Sequence, residues 1–222
     1  MNNEEEYLKR SKIKTIKCLI ERPSDILRVP HWIVSKVLYK SPLKAHLPWF
    51  TYGAMSYLEN HLNKDSNVFE YGSGGSTLWL AKKVGHITSI EHNPIWYNLV
   101  VEALHAQNRN NASVILQVPK TTRKDDYTSA EEQGSFKEYV ESIDSYPDQS
   151  FDLVVVDGRC REHCILHAMS KVKRTGIILL DDSYRERYQP MLRLLTSWFR
   201  RDFKGLKPFA SEPSRTTILR AP

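Results

Sequence analysis

The chain of 222 residues contains no apolar run that approaches the length of a bilayer-spanning helix. It has three cysteines, Cys18, Cys160 and Cys164, which make no disulfide framework. Cys160 and Cys164 stand four apart with His163 and His167 close by. No second ligand pair at suitable spacing completes a zinc site, so structural or incidental thiols in a reducing compartment are expected. The first six residues include three glutamates, Glu4 to Glu6, and no signal-peptide core follows them, which points to a cytoplasmic protein. There is no internal repeat, no low-complexity segment, no RNA-reading aromatic motif and no dedicated nucleic-acid module, so a nucleic-acid partner is not expected. Hydrophobic residues make up 41% and aromatics 10% of the chain, enough for one globular domain with a real core. The formal net charge is +6, with basic residues gathered in the first 45 positions and again after Asp182. That excess suits an acidic small substrate or a membrane surface.

The most informative segment is Val68-Phe69-Glu70-Tyr71-Gly72-Ser73-Gly74-Gly75-Ser76-Thr77. An apolar strand runs into a glycine turn and a helix opens directly after it, the arrangement that builds a nucleotide pocket at the carboxyl end of a strand. A dinucleotide fingerprint beginning at Gly72 would need glycine at 77, where Thr77 stands. The acidic Glu70 would also repel a pyrophosphate. Acid-x-Gly-x-Gly instead resembles the turn that binds S-adenosylmethionine (SAM) in class I methyltransferases, where a carboxylate complements an ammonium and a sulfonium. A second apolar segment, His86-Ile87-Thr88-Ser89-Ile90-Glu91, ends in an acid about twenty residues beyond the turn, the usual place for a carboxylate on ribose hydroxyls.

Element by element, the first 45 residues read as a helical extension. Ile13, Ile16, Leu19 and Ile20 recur at helical spacing among lysines, and Pro23 stops that helix. Positions 29–40 are apolar and aromatic, with basic residues alongside. Packing on the main domain or on a partner subunit, as in a homodimer, is the favoured reading; a peripheral membrane anchor is the alternative. Two prolines, at 42 and 48, bracket a linker, so the division expected is an extension over 1–47 and a domain over 48–222. Helices are expected over 52–62, 76–84, 94–109, 161–172 and 186–199, and strands over 67–71, 86–91, 113–118, 151–157, 176–181, 204–210 and 215–220. Residues 120–149 are polar around one amphipathic segment, and too long for a simple connection; they are a candidate lid. The fold expected is α/β and Rossmann-like: seven strands, mostly parallel, with an antiparallel C-terminal hairpin and an N-terminal helical extension.

Four blocks carry a family resemblance over roughly residues 48 to 220: the turn itself, Ser89-Ile90-Glu91-His92-Asn93, Phe151-Asp152-Leu153-Val154-Val155-Val156-Asp157-Gly158-Arg159, and Leu180-Asp181-Asp182-Ser183. Together they resemble class I SAM-dependent methyltransferases of the small-molecule O-methyltransferase kind. The resemblance implies SAM as cofactor. It puts Glu70, Gly72 and Gly74 at the methionine end, Glu91 on the ribose, His92 or Asn93 near the adenine, and Asp157 facing the methyl, with Ser73 and Ser76 among the cofactor-binding residues. In catechol-type members an acid after strand four and an acid–amide pair after strand five hold magnesium. Here the matching set is Asp157, Asp181 and Asp182, which would suit a hard divalent cation.

Transfer to a hydroxyl needs a base. Asp157 is the first candidate, with His163 and His31 behind it. Trp49 and Tyr52 could wall the pocket, and Arg159 or Arg161 could hold an acidic acceptor. The activity expected is methyl transfer to a small-molecule hydroxyl. An aminopropyltransferase-like enzyme and a non-catalytic SAM-binding scaffold are the rivals.

Overall fold

Apolar runs alternate with amphipathic ones from residue 52 onward, and the chain builds a sheet covered on both faces. A computed structural model of the protein describes residues 3–39, 41–121, 127–129 and 132–222. The extension comprises α1 (Asn3–Glu21), a 3-10 turn at Pro23–Arg28, α2 (Val29–Val34), a π-helical turn at Ser35–Tyr39, and α3 (Pro42–Ala45). The domain follows with α4 (Tyr52–His61), β1 (Asn67–Tyr71), α5 (Gly75–Ala81), β2 (His86–Glu91), α6 (Pro94–Ala106) and β3 (Ala112–Leu116). Its second half holds α7 (Lys137–Glu141), β4 (Phe151–Val156), α8 (Arg161–Lys171), β5 (Val172–Leu180), α9 (Gln189–Leu194), β6 (Phe199–Gly205) and β7 (Ser214–Arg220).

The strand order is β3-β2-β1-β4-β5-β7-β6. The first five strands run parallel, and β7 pairs antiparallel with both β5 and β6. This is the seven-stranded, mostly parallel sheet with a closing hairpin expected from the sequence. Successive strand residues go to opposite faces: Val68, Leu153 and Val155 meet α4, α5 and α6, while Phe69, Tyr71 and Val154 meet the segment 136–143 and α8. Both faces are buried, which is why the strands read as continuous apolar runs.

Three features differ from expectation. β5 begins at Val172 rather than 176, because Val172 pairs with Phe151 across a register irregularity. Gly176 lies in that stretch, and a Cβ there would sit 2.9 Å from the carbonyl oxygens of Phe151 and Asp152. The helix expected over 186–199 shrinks to a 3-10 turn and α9, and β6 starts at Phe199 rather than 204. On this edge strand Phe203 packs against Tyr57 while Phe199 stays exposed, a pattern too mixed to announce a strand. The third difference lies in α1. Its buried face is Ser11, Thr15 and Cys18, with the Ser11 hydroxyl donating to the Ser211 carbonyl at 2.6 Å. Its isoleucines point outward instead of being packed away, and Ile20 is 74% exposed. Among the described residues, no helix is long and apolar enough to cross a membrane.

Candidate active site

The strand order reverses beside β1, whose neighbours are β2 on one side and β4 on the other, and open α/β sheets take ligands at such a crevice. Gly72 leaves β1 at φ +93°, and a Cβ there would lie 2.8 Å from the Gly158 Cα, so no other residue fits. Gly74 differs: its backbone is extended, and a Cβ would point toward Trp96 at 3.7 Å. Gly75 is pressed by the Pro42 and Leu47 carbonyls, so the end of the extension seats directly on the turn. The Gly74 amide donates to the Thr77 hydroxyl at 2.9 Å.

Glu70 is placed otherwise than expected. It is fully buried behind the turn, where the Thr77 and Ser89 hydroxyls donate to it at 2.5 Å each. It fastens the turn to β2 and does not line the cavity in front. Burial pushes its carboxyl up to about 7, with the Ser76, Ser89 and Thr77 hydroxyls opposing the shift. A folded-state value above the ordinary one means that the folded protein holds the proton more tightly than the unfolded chain. This stabilisation is full below about 4.5 and is lost as pH rises through about 7. Each tenfold gain in proton affinity is worth roughly 1.4 kcal/mol, so the contribution of Glu70 should fall by about 2–3 kcal/mol between pH 4.5 and 8. In denaturant melts across this range Glu70→Gln should show a shallower dependence on pH; an unchanged dependence would refute this role for Glu70.

A cavity of about 370 Å³ opens before the turn, lined by Gly72 to Ser76, Glu91, His92, Asn93, Trp96, Asp157, Gly158 and Arg159, with Pro42, Trp49 and Glu132 at its borders. Glu91 is its best-held acid. It accepts from the Ser73 amide (3.1 Å) and hydroxyl (2.8 Å) and from the His92 and Asn93 amides (2.9 Å each). Burial works to raise its pKa, but donors from His92, Asn93 and Ser73 together hold it below the ordinary value. The His92 ring lies between two carboxylates, Nδ1 at 3.0 Å from Glu91 and Nε2 at 2.9 Å from Glu132. Against the effect of burial, these acids raise its pKa. Arg159 closes the chain of charges, 2.6 Å from Glu132. Glu132 thus brings the candidate lid to the cavity; the lid's residues 122–126, 130 and 131 lie outside the described residues.

Asp157 follows β4 and reaches the same cavity. Burial raises its carboxyl to about 7, against the pull of Arg161 at 2.9 Å. The magnesium set is corrected by the ion pairs around it. Lys207 Nζ stands 3.0 Å from Asp181 and 2.6 Å from Asp182. Thr216 donates to Asp181 at 2.6 Å, and Ser214 and Arg185 donate to Asp182 at 2.7 Å each. Each of the three acids already holds a cationic side chain, and among the described residues no group of three or more His, Cys, Asp or Glu is assembled for a metal. A lysine ammonium already bridges the Asp181–Asp182 pair. The resemblance could not reveal this, because Lys207 lies 25 residues beyond Asp182 on the connection between β6 and β7.

His163 is also corrected. It packs its ring 5.0 Å from Tyr127 and lines neither this cavity nor its neighbour across Trp49. His31 and Tyr52 line a separate cavity with Arg28 and Trp79. Trp49 does wall the site, as expected. Trp96 and Glu132 are additions that the sequence does not single out. The Trp96 indole donates to the Ser73 carbonyl at 2.8 Å, and its place in the first turn of the helix capped by Asn93 is the available clue.

A second cavity, of about 580 Å³, shares Trp49 with the first. It is lined by Tyr7, Lys14, Asp182, Tyr184, Lys207 and residues 209–214. Its charges are internally matched: Lys14 pairs with Glu212 at 2.7 Å, and Lys207 with Asp181 and Asp182. Lys207 also lies 5.3 Å from the Trp49 ring centroid.

No protein-family model matches the chain, and no curated protein matches it in sequence. Solved structures do. A provisionally assigned O-methyltransferase from Klebsiella pneumoniae aligns at TM-score 0.60 and 13% identity, over 87% of this chain and 96% of that one. An rRNA methylase from Streptococcus thermophilus aligns at 0.54 and 13%, over 77% and 95%. A provisionally assigned methyltransferase from Streptococcus mutans, solved with S-adenosylhomocysteine, aligns at 0.53 and 12%, over 75% and 94%. The chain has the class I SAM-dependent methyltransferase fold.

Proposed function

We propose that the protein transfers the methyl group of SAM to a hydroxyl of a small-molecule acceptor. The observation that carries this reading is the pairing of two cavities across Trp49, with Glu91 and the glycine turn in one and matched charges with aromatic faces in the other. The residues suit SAM. Glu91 offers a carboxylate to ribose hydroxyls in place of the Ser73 hydroxyl, the backbone at Gly74 leaves room, and Trp96 supplies an apolar wall. SAM, when bound, supplies an activated methyl on a sulfonium. The chain's task is to orient the acceptor, exclude water and take a proton. Asp157 is the base in this reading, and a carboxyl near 7 is suited to that role at neutral pH. Trp49, Tyr7 and Tyr184 line the second cavity and offer aromatic surface to the acceptor. The two lysines are engaged with Glu212, Asp181 and Asp182, so recognition rests on shape and hydrogen bonds more than on net charge. The same pairing leaves no surplus negative charge for a polyamine, which disfavours aminopropyl transfer.

The test is labelled SAM with fractionated cell extract. Label should enter a small-molecule fraction; label in the RNA fraction would replace this acceptor class, as the fold also occurs in an rRNA methylase. Asp157→Asn should keep SAM binding and lose about 10²–10⁴ in transfer rate, while wild-type rate should climb with pH to a plateau above about 7. Full activity in Asp157→Asn would remove the base.

A further inference from the structure

The helical extension shows the solvent a surface that a buried element would not. Among the described residues, twelve of the twenty-one exposed large hydrophobics fall within residues 7–39, a minor part of the chain. On α1 the arrangement is ordered. Residues 11, 15 and 18 face the domain, and at 100° per residue the opposite side is centred on Ile13, Ile16 and Ile20. These are 57%, 58% and 74% exposed; Lys12 and Lys17 flank them, and Lys9 lies on the same face one turn before Ile13, all three exposed. Glu4, Glu5 and Glu6 open α1; past them, between residues 7 and 39, eight basic residues stand against two acidic ones. Asp25, one of the two, turns inward to accept the Leu206 amide at 3.3 Å.

We infer that this outward face of α1 docks on an anionic lipid surface, with the isoleucines entering the interface and the lysines meeting the headgroups. Charge decides between this occupant and a second copy of the chain. A parallel pairing about the stripe would set each lysine against its own copy. An antiparallel pairing centred between Ile13 and Ile16 would set Lys12 against Lys17. Both are repulsive, whereas an anionic surface complements every lysine at once. The same helix contributes Tyr7 and Lys14 to the second cavity, so docking would hold that cavity close to the lipid. The inference does not depend on the methyl-transfer reading.

Full-length protein should be sedimented with vesicles of equal parts phosphatidylglycerol and phosphatidylcholine, and with vesicles of phosphatidylcholine alone. Binding to the first set only is expected, weakening as salt is raised. Ile13→Ser/Ile16→Ser/Ile20→Ser should lower partitioning by at least about tenfold, the loss expected from removing three buried aliphatic chains. Lys9→Gln/Lys12→Gln/Lys17→Gln should weaken binding and flatten its salt dependence. Both variants leave Ser11, Thr15 and Cys18 in place, and an unchanged melting temperature checks the fold. Absence of wild-type binding to the anionic vesicles overturns the inference, as does undiminished binding by the isoleucine variant. So does a wild-type dimer in ultracentrifugation that the isoleucine variant converts to monomer, since a second copy would then cover the face.

Discussion

Titration of Gly74→Val with SAM should give no measurable heat, a loss of at least about a hundredfold in affinity, from a protein that melts close to wild type. Backbone φ at Gly74 is 166°, within the extended range open to β-branched residues. The new Cβ would meet only Trp96, at ordinary van der Waals distance, and the Gly74 amide would keep its bond to Thr77. The added methyl groups therefore enter the cavity and leave the protein's own packing largely alone. Gly72→Ala makes the contrast: φ +93° and the 2.8 Å approach to Gly158 should cost stability as well as binding. Wild-type SAM affinity in a folded Gly74→Val would sink the cofactor assignment.

Lys207→Met should destabilise the protein by about 3–5 kcal/mol in denaturant melts, because removing one partner of a buried pair strands the other charges. Asp181 is 1% exposed, and the Lys207 side chain 8%. Burial dominates at Asp181 and raises its carboxyl, while Lys207 and Ser214 hold Asp182 low in spite of burial. Adding Asp181→Asn and Asp182→Asn to Lys207→Met should recover much of the loss. Wild-type stability and activity should not change with a chelator, because the lysine already neutralises these acids. A stability cost under about 1 kcal/mol for Lys207→Met, well below the range for a broken buried pair, would show that the carboxylates find another counter-ion.

Where the physics is local, the sequence is a sufficient guide. The buried parallel strands announce themselves as unbroken apolar runs, Pro94 and Asn93 mark a helix start, and the glycine turn needs its residue types within a few positions. The strand order follows from that alternation with few alternatives. What stays hidden depends on distant partners. Glu70 reads as a ligand-facing acid because its sequence position is the same whether its side chain turns forward or, as it does, back toward Ser89. The Asp181–Asp182 pair looks like a metal site until Lys207 arrives from another connection. Ile13, Ile16 and Ile20 have the spacing of a packed face, and spacing alone does not say which side of a helix meets the domain. The hydrogen bond from Ser11 and a small polar face settle it the other way.

Gly75 has a mechanical consequence. The Pro42 and Leu47 carbonyls rest on it, one residue from Gly74 and two from Ser73, so the extension and the cofactor turn share a joint without room for a methyl group. Any displacement of residues 42–47 must be felt at the turn. Where such a displacement accompanies attachment of the extension to a surface, thermodynamic reciprocity follows: a factor by which attachment alters SAM affinity is the factor by which SAM alters attachment. A transplanted domain beginning at residue 48 would lose this joint, and its cofactor affinity would be that of a turn with one wall missing.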